Sequence, residues 1–191
     1  MRSLALAVAL ALLPRIALAH EAFGDLGPFY GGLLHPVMAP LQTLVLAALA
    51  ILLARQPLDG VRAAYPALVL AGAGAIVLHA AMPDLAVPMR LGAAAAVMLG
   101  GLALWGVALP RGVLVVLAMT GAALAAVSGD AAALTRAGLL GAVGSILGIA
   151  AFVLLVWGLV DILQSRLGRV SGAVAAAWLI AIGAMAAVLP G

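Results

Sequence analysis

The sequence predicts an all-α fold, a polytopic membrane helix bundle of six transmembrane helices that follows an N-terminal signal peptide. Of its 191 residues, 68% are apolar and only 8% are charged, whereas a soluble domain carries roughly 25% charged residues. Charge-free apolar windows of about 20 residues, the length that a helix needs to cross a bilayer, recur along the chain. The arginines between these windows are distributed unequally, as expected for loops on two sides of a membrane.

Residues 1–19 have the three parts of an export signal. Arg2 supplies a positive charge, and Leu4–Leu13 is an apolar stretch that is too short to span a bilayer comfortably. Ala17-Leu18-Ala19 then provides a small-x-small cleavage site. An uncleaved first helix is the alternative. If the signal is removed after Ala19, the mature chain begins at His20.

We expect the remainder, residues 20–191, to form one transmembrane domain. Six apolar windows predict its spans: Pro36–Ala54, Ala63–Pro83, Leu91–Pro110, Gly112–Gly129, Ala137–Val160 and Val170–Gly191. The third and fourth windows meet at Leu109-Pro110-Arg111-Gly112, a sequence typical of a tight turn between antiparallel helices. No linker or internal repeat divides the chain further.

The loop charges predict the orientation of the bundle. If the mature N-terminus is outside, the inner loops hold five arginines: Arg55, Arg62, Arg111, Arg166 and Arg169. The outer loops then hold only Arg90 and Arg136. This bias agrees with the positive-inside rule. It predicts a multi-pass protein of the bacterial inner membrane whose mature N-terminus and C-terminus are both periplasmic.

Small residues recur at helical spacing within two of the windows. Gly92, Ala96 and Gly100 lie four residues apart, and so do Gly144 and Gly148. Small side chains let helix backbones approach closely in lipid, where no hydrophobic force drives helix association. We interpret these faces as packing surfaces. A substrate path lined by small residues is the alternative.

Several function classes are excluded or disfavoured by composition. The chain has no cysteine, so it cannot form disulfides or thiolate metal sites. The nine basic residues are all arginine and are dispersed singly, so we expect no binding of nucleic acid. The sequence around Ser145 is not a nucleophile elbow, and neither a P-loop nor a Rossmann fingerprint is present. We therefore expect no enzyme, and no catalytic residue or tightly bound cofactor.

The polar residues of the predicted outer side indicate a metal site. All three histidines and four of the six acidic residues fall there: His20, Glu21, Asp25, His35, His79, Asp84 and Asp130. Imidazole together with carboxylate suits borderline divalent metals such as nickel, cobalt, zinc or copper. A mature N-terminal His20 would offer both its α-amine and its ring nitrogen to a metal. The alternatives are a plain exposed terminus and histidines that only cap or snorkel at the membrane interface.

The order of these features resembles the HupE/UreJ family of hydrogenase and urease accessory membrane proteins. Ala19-His20, the pair Gly31-Gly32 and His35-Pro36 stand where that family has its mature start, its glycine-rich approach and its His-Pro pair. The segment 88–92, before an alanine-rich span, looks like the family's third helix. The resemblance covers nearly the whole chain and rests on layout more than on distinctive motifs.

The chain departs from the family's usual continuation, His-Pro-x-x-Gly-x-Asp-His. Leu41 and Gln42 stand in place of its Asp and second His, and Arg90 stands where the family commonly has Glu. Of the predicted metal ligands, only His20 and His35 correspond to family residues. The other candidates come from the charge pattern alone.

The resemblance implies uptake of nickel or cobalt through a permease with an outward-facing loading site of histidine and carboxylate. The metal ion would be the substrate, and the lipid bilayer the principal partner. The alternative is a metal-sensing or structural accessory subunit that has lost the metal pathway, an interpretation favoured by the scarcity of polar groups inside the spans. The glycine-rich faces are also compatible with a homo-oligomer or with membership in an accessory complex.

Overall fold

The computed structural model describes residues 26–85, 87–128 and 134–188, and all regular structure in these ranges is helical. The described residues form seven helices: α1 (Gly27–Met38), α2 (Pro40–Ala54), α3 (Leu58–Ala81), α4 (Met89–Trp105), α5 (Arg111–Val127), α6 (Arg136–Leu167) and α7 (Val170–Val188). The prediction of an all-α fold is confirmed for this part of the chain. The proposed signal peptide lies outside the described residues.

Four elements of the bundle have the length and composition of a membrane span. These are the single helices α3, α6 and α7, together with α1 and α2 taken as one bent pair. Helices α4 and α5 are equally apolar but shorter, with 17 residues each. Each predicted window overlaps one or two of these helices, and the fold is compatible with a helical membrane bundle.

Proline and glycine mark most of the helix boundaries. Pro57, Pro88 and Pro110 directly precede α3, α4 and α5, where a missing N–H leaves no helical hydrogen bond unmade. Gly106 ends α4 with a φ of +70°, the left-handed conformation that glycine adopts without a Cβ clash. Thr135 caps α6 by accepting a hydrogen bond from a backbone N–H of its first turn.

Helix α2 is the core of the bundle. Nearly all of Leu44–Leu53 is buried, because α1, α4, α5, α6 and α7 all pack against it. Around this helix, α3 pairs with α5, α4 with α7, and α1 with α6. The outward faces remain apolar, as Leu70, Leu155 and Trp178 illustrate with exposures of 73%, 72% and 68%. Such faces are suited to contact with lipid.

The predicted start of the first span at Pro36 is wrong, because Pro36 lies inside helix α1. Glycine lowers intrinsic helix stability by about 1 kcal/mol, so the pair Gly31-Gly32 does not favour a helix by itself. The pair is helical here because α1 packs against α6. A Cβ atom on Gly32 would collide with the backbone of Gly141 in α6. The requirement for close contact therefore outweighs helix propensity at this position.

The same contact explains the small-residue face of α6. Gly144 faces the carbonyl oxygen of Phe29, and Gly148 faces that of Leu33, with no room for a Cβ atom at either glycine. Two glycines of α4 contact side chains of α2 and α7 in a similar way. The interpretation of these faces as packing surfaces is confirmed. In this structure neighbouring helices occupy the space along these faces.

Candidate functional site at the break between α1 and α2

The bundle is interrupted where α1 meets α2. Ala39 between them has an extended backbone, with φ −93° and ψ 106°, because the following Pro40 disfavours the helical conformation of the residue before it. The two helix axes differ in direction by 69°. Broken helices at membrane depth expose backbone and polar groups, and several transporter folds bind ions at such breaks. The break is therefore a candidate ion-binding site.

The hydroxyl of Thr43 stabilises the break. In a continuous helix the carbonyl of Pro36 would accept from the N–H of residue 40, which proline lacks. Thr43 Oγ1 instead lies 2.6 Å from the carbonyl oxygen of Pro36 and 2.9 Å from that of Ala39. The Ala39 carbonyl also accepts from the Thr43 backbone N–H. The Thr43 hydroxyl therefore donates its hydrogen bond to the Pro36 carbonyl oxygen, because the Ala39 carbonyl already has the backbone N–H as a donor.

His35 and Gln42 meet across the break. His35 Nδ1 lies 2.6 Å from Oε1 of Gln42, and the Gln42 side chain is buried. When Nδ1 donates its proton to this oxygen, Nε2 is the ring nitrogen that keeps a free lone pair. A second residue that fixes the tautomer in this way is typical of metal-binding histidines. The arrangement can present one imidazole nitrogen to a cation.

We expect Thr43→Val to destabilise the protein by roughly 1–3 kcal/mol, because it leaves the buried Pro36 carbonyl without a hydrogen-bond donor. Thr120→Val is the matched control, since the Thr120 hydroxyl bonds only to Val116 of its own helix and the residue is exposed. Thermal unfolding in detergent, followed by tryptophan fluorescence, measures both. Equal melting temperatures for the two variants would contradict the role given to Thr43.

The other predicted metal ligands do not form a cluster within the described residues. His79 is buried in the last turn of α3, and Asp84 is exposed in the loop that follows. Within residues 26–85, 87–128 and 134–188, no group of three or more His, Cys, Asp or Glu side chains is placed to hold a metal ion. The remaining candidates lie outside these ranges: His20, Glu21, Asp25 and Asp130.

An apolar cavity adjoins the break on the side of α4 and α7. Its volume is about 410 Å³, and its walls include Pro40 and Thr43 from α2, Met89 from α4 and Ile182 from α7. Neither His35 nor Gln42 lines it. The cavity is therefore suited to a lipid chain, and the polar contact of the break lies apart from it.

A second polar cluster lies at the other end of α2. Arg55 donates from Nη1 to the Arg169 carbonyl oxygen at 2.8 Å and approaches Oε1 of Gln164 at 3.4 Å. Gln164 donates to the Ala54 carbonyl oxygen at 2.9 Å. Gln56 donates to the Val107 carbonyl oxygen and accepts from the Leu109 N–H. These bonds join the α2–α3, α4–α5 and α6–α7 loops at one end of the bundle.

Burial lowers the pKa of Arg55, and the nearby positive charge of Arg169 lowers it further. The guanidinium fits closely between two glycines. A Cβ atom at Gly106 would lie 2.6 Å from Nη2, and one at Gly172 would lie 3.0 Å from Nη1. Arg55 is thus a packed and hydrogen-bonded residue that joins three parts of the chain, whereas the sequence predicted only a charge in an inner loop.

The sequence contained one signal for both clusters. The chain has no asparagine and only three glutamines, and all three take part in these contacts: Gln42, Gln56 and Gln164. In so apolar a chain an amide side chain is costly to bury without hydrogen-bond partners. The three glutamines therefore mark the places where polar contacts had to form.

Comparison with protein-family models, with curated proteins and with solved structures gives no significant match to this chain.

Proposed function

We propose that this chain is an inner-membrane permease for a divalent transition metal such as nickel or cobalt, similar to the HupE/UreJ proteins. The observation that supports this proposal best is the contact between His35 Nδ1 and Gln42 Oε1 at the break of a broken span. It leaves Nε2 of an oriented imidazole free to bind a borderline cation.

The position of Gln42 adds to the argument. In the motif His-Pro-x-x-Gly-x-Asp-His, residues 35 and 42 correspond to the first and last histidines. The break brings these two positions within hydrogen-bond distance, although they lie seven residues apart. A second histidine at position 42 would therefore be close enough to share a metal ion with His35. This geometry supports the resemblance, even though the chain carries an amide there.

The proposal includes a topology. Helices α1 and α2 form one broken span, and α3 to α7 form five more, behind a signal peptide cleaved after Ala19. The loops that carry Arg55, Arg111 and Arg169 belong to one end of the bundle, which the positive-inside rule assigns to the cytoplasm. The mature N-terminus and the C-terminus are then periplasmic. Metal loads on that side at His20, His35 and His79, assisted by one or more of these residues: Glu21, Asp25, Asp84 and Asp130.

Nickel or cobalt uptake into proteoliposomes tests this proposal. Compared with empty liposomes, the wild-type chain is expected to accelerate metal entry. His35→Ala is expected to lower the initial rate by about tenfold or more, since loss of a mere supporting partner of a metal ligand already costs 10–100-fold. Gln42→His is expected to raise metal affinity, because it adds a second imidazole. Thr120→Val, on an exposed face away from the break, should transport like wild type.

The alternative is a metal-sensing or structural accessory subunit that does not transport. Two observations favour it: the glycine faces of α1 and α6 are closed by backbone contact, and the cavity beside the break is apolar. Uptake equal to that of empty liposomes, combined with metal binding that His35→Ala abolishes, would support a sensor. Uptake that His35→Ala leaves unchanged would refute a metal route through the break.

A further inference from the structure

The end of α2 away from the break borders an open cavity of about 510 Å³. Its walls come from the α2–α3 and α4–α5 loops and from the end of α6 with the loop that follows. Six charged or polar residues line it: Arg55, Gln56, Asp161, Gln164, Ser165 and Arg169. The cavity is therefore polar, in contrast to the apolar cavity beside the break.

Most of the uncharged polar groups of this cavity are already engaged by the protein. Both ends of the Gln56 amide are hydrogen-bonded, and so are both ends of the Gln164 amide. The Ser165 hydroxyl donates to the Ile162 carbonyl oxygen of its own helix. The groups left to bind a ligand are the guanidinium groups of the two arginines and the carboxylate of Asp161, and of these only the guanidinium groups can bind an anion.

Positive charge is in excess in the cavity. Arg55 and Arg169 face a single carboxylate, that of Asp161, and within the described ranges neither arginine has a carboxylate oxygen within 4.0 Å. Arg55 Nε is buried and has no acceptor among the described residues. Within the described ranges, Nη1 is the one guanidinium nitrogen of Arg55 that is hydrogen-bonded to the protein. The two guanidinium groups therefore repel each other and keep unused donors.

We propose that this cavity binds a phosphate group, either the headgroup phosphate of an anionic lipid or a soluble phosphate. Guanidinium groups present planar sets of donors that match phosphate oxygens and bind them with charge-assisted hydrogen bonds. Basic pockets between helices at the cytoplasmic membrane surface bind anionic headgroups in this way. A phosphate between Arg55 and Arg169 would neutralise their repulsion. This inference does not depend on metal transport.

The test uses the purified full-length chain in two arms. In detergent, inorganic phosphate is titrated by calorimetry at constant ionic strength set with sodium chloride. In nanodiscs of phosphatidylcholine, the phosphatidylglycerol fraction is raised and lipid retention is measured by native mass spectrometry. Arg169→Gln is the main variant, because its backbone carbonyl still accepts from Arg55. Arg90→Gln removes an equal charge from an exposed site at the opposite end of α4.

Whichever arm detects phosphate or lipid binding, we expect Arg169→Gln to weaken that binding by about tenfold or more. This is the effect of losing one charge-assisted hydrogen bond. Arg55→Gln is expected to abolish it. Arg90→Gln should bind like wild type. Binding in the titration alone identifies a soluble phosphate, and retention of phosphatidylglycerol alone identifies a lipid headgroup. No binding in either arm, or equal losses in Arg90→Gln and Arg169→Gln, would overturn the proposal.

Discussion

Adding one methyl group at Gly144 is expected to separate α1 from α6, whereas the same change at Gly158 of the same helix is expected to be tolerated. A Cβ atom at Gly144 would overlap the Phe29 carbonyl oxygen and press on the Leu33 N–H, both of which belong to backbone. Backbone atoms cannot turn aside as a flexible side chain does. At Gly158, no atom lies within 4 Å of an added Cβ.

The expected cost of Gly144→Ala is about 3 kcal/mol, at the upper end of overpacking substitutions. For a chain of this length, that corresponds to a fall of roughly 6–12 °C in the melting temperature. Gly158→Ala should leave the melting temperature unchanged or slightly raised, because alanine favours a helix. Hydrogen exchange adds a local measurement, in which Gly144→Ala should lose protection in residues 27–38. Unchanged protection there would contradict the packing described for α1.

Gly106→Ala is expected to be the most damaging single substitution at the other end of the bundle. Gly106 has a φ of +70°, which costs an L-residue about 1–2 kcal/mol. The added Cβ would in addition lie 2.6 Å from Arg55 Nη2. The guanidinium would then have to leave its place between Gly106 and Gly172, and its bond to the Arg169 carbonyl oxygen would be lost.

A double-mutant cycle with Arg55→Gln separates these two costs. Gly106→Ala introduces backbone strain in either background, but the collision with the guanidinium exists only where Arg55 is present. Gly106→Ala should therefore cost about 1–3 kcal/mol more in the wild-type chain than in the Arg55→Gln variant, because only in the wild-type chain does it displace the hydrogen bonds of Arg55. Thermal unfolding in detergent gives the difference. If Gly106→Ala costs the same in both backgrounds, the close fit of Arg55 against Gly106 contributes nothing to stability.

The positions of the helices could be predicted from sequence because length and hydropathy determine them. Each of the six windows overlaps at least one helix of the structure, and residues such as Pro57 and Pro110 mark helix starts through their own covalent geometry. Helix α1 could not be predicted in this way. Its glycines oppose helix formation locally, and only the surface of α6, far away in the chain, makes Gly32 favourable there.

The candidate sites were predictable to a smaller extent. His35 was identified from its residue type and from the family resemblance, but its contact with Gln42 depends on a 69° bend at Ala39. The cluster around Arg55 could not be predicted from the sequence, because its partners Gln164 and Arg169 are 109 and 114 residues away from Arg55 in the chain. The apolar windows do not indicate which of the loops between helices contact one another.

The pairing of α1 with α6 has a consequence for biosynthesis. The face of α1 around Gly32 is made long before its complement around Gly141, about 110 residues later in the chain. At a synthesis rate of about 5–20 residues per second, the two halves are separated by on the order of 10 s. During that interval the glycine face of α1 has no α6 to pack against. Helix α1, the first helix of the described residues, can therefore complete its packing only after α6 has been synthesised.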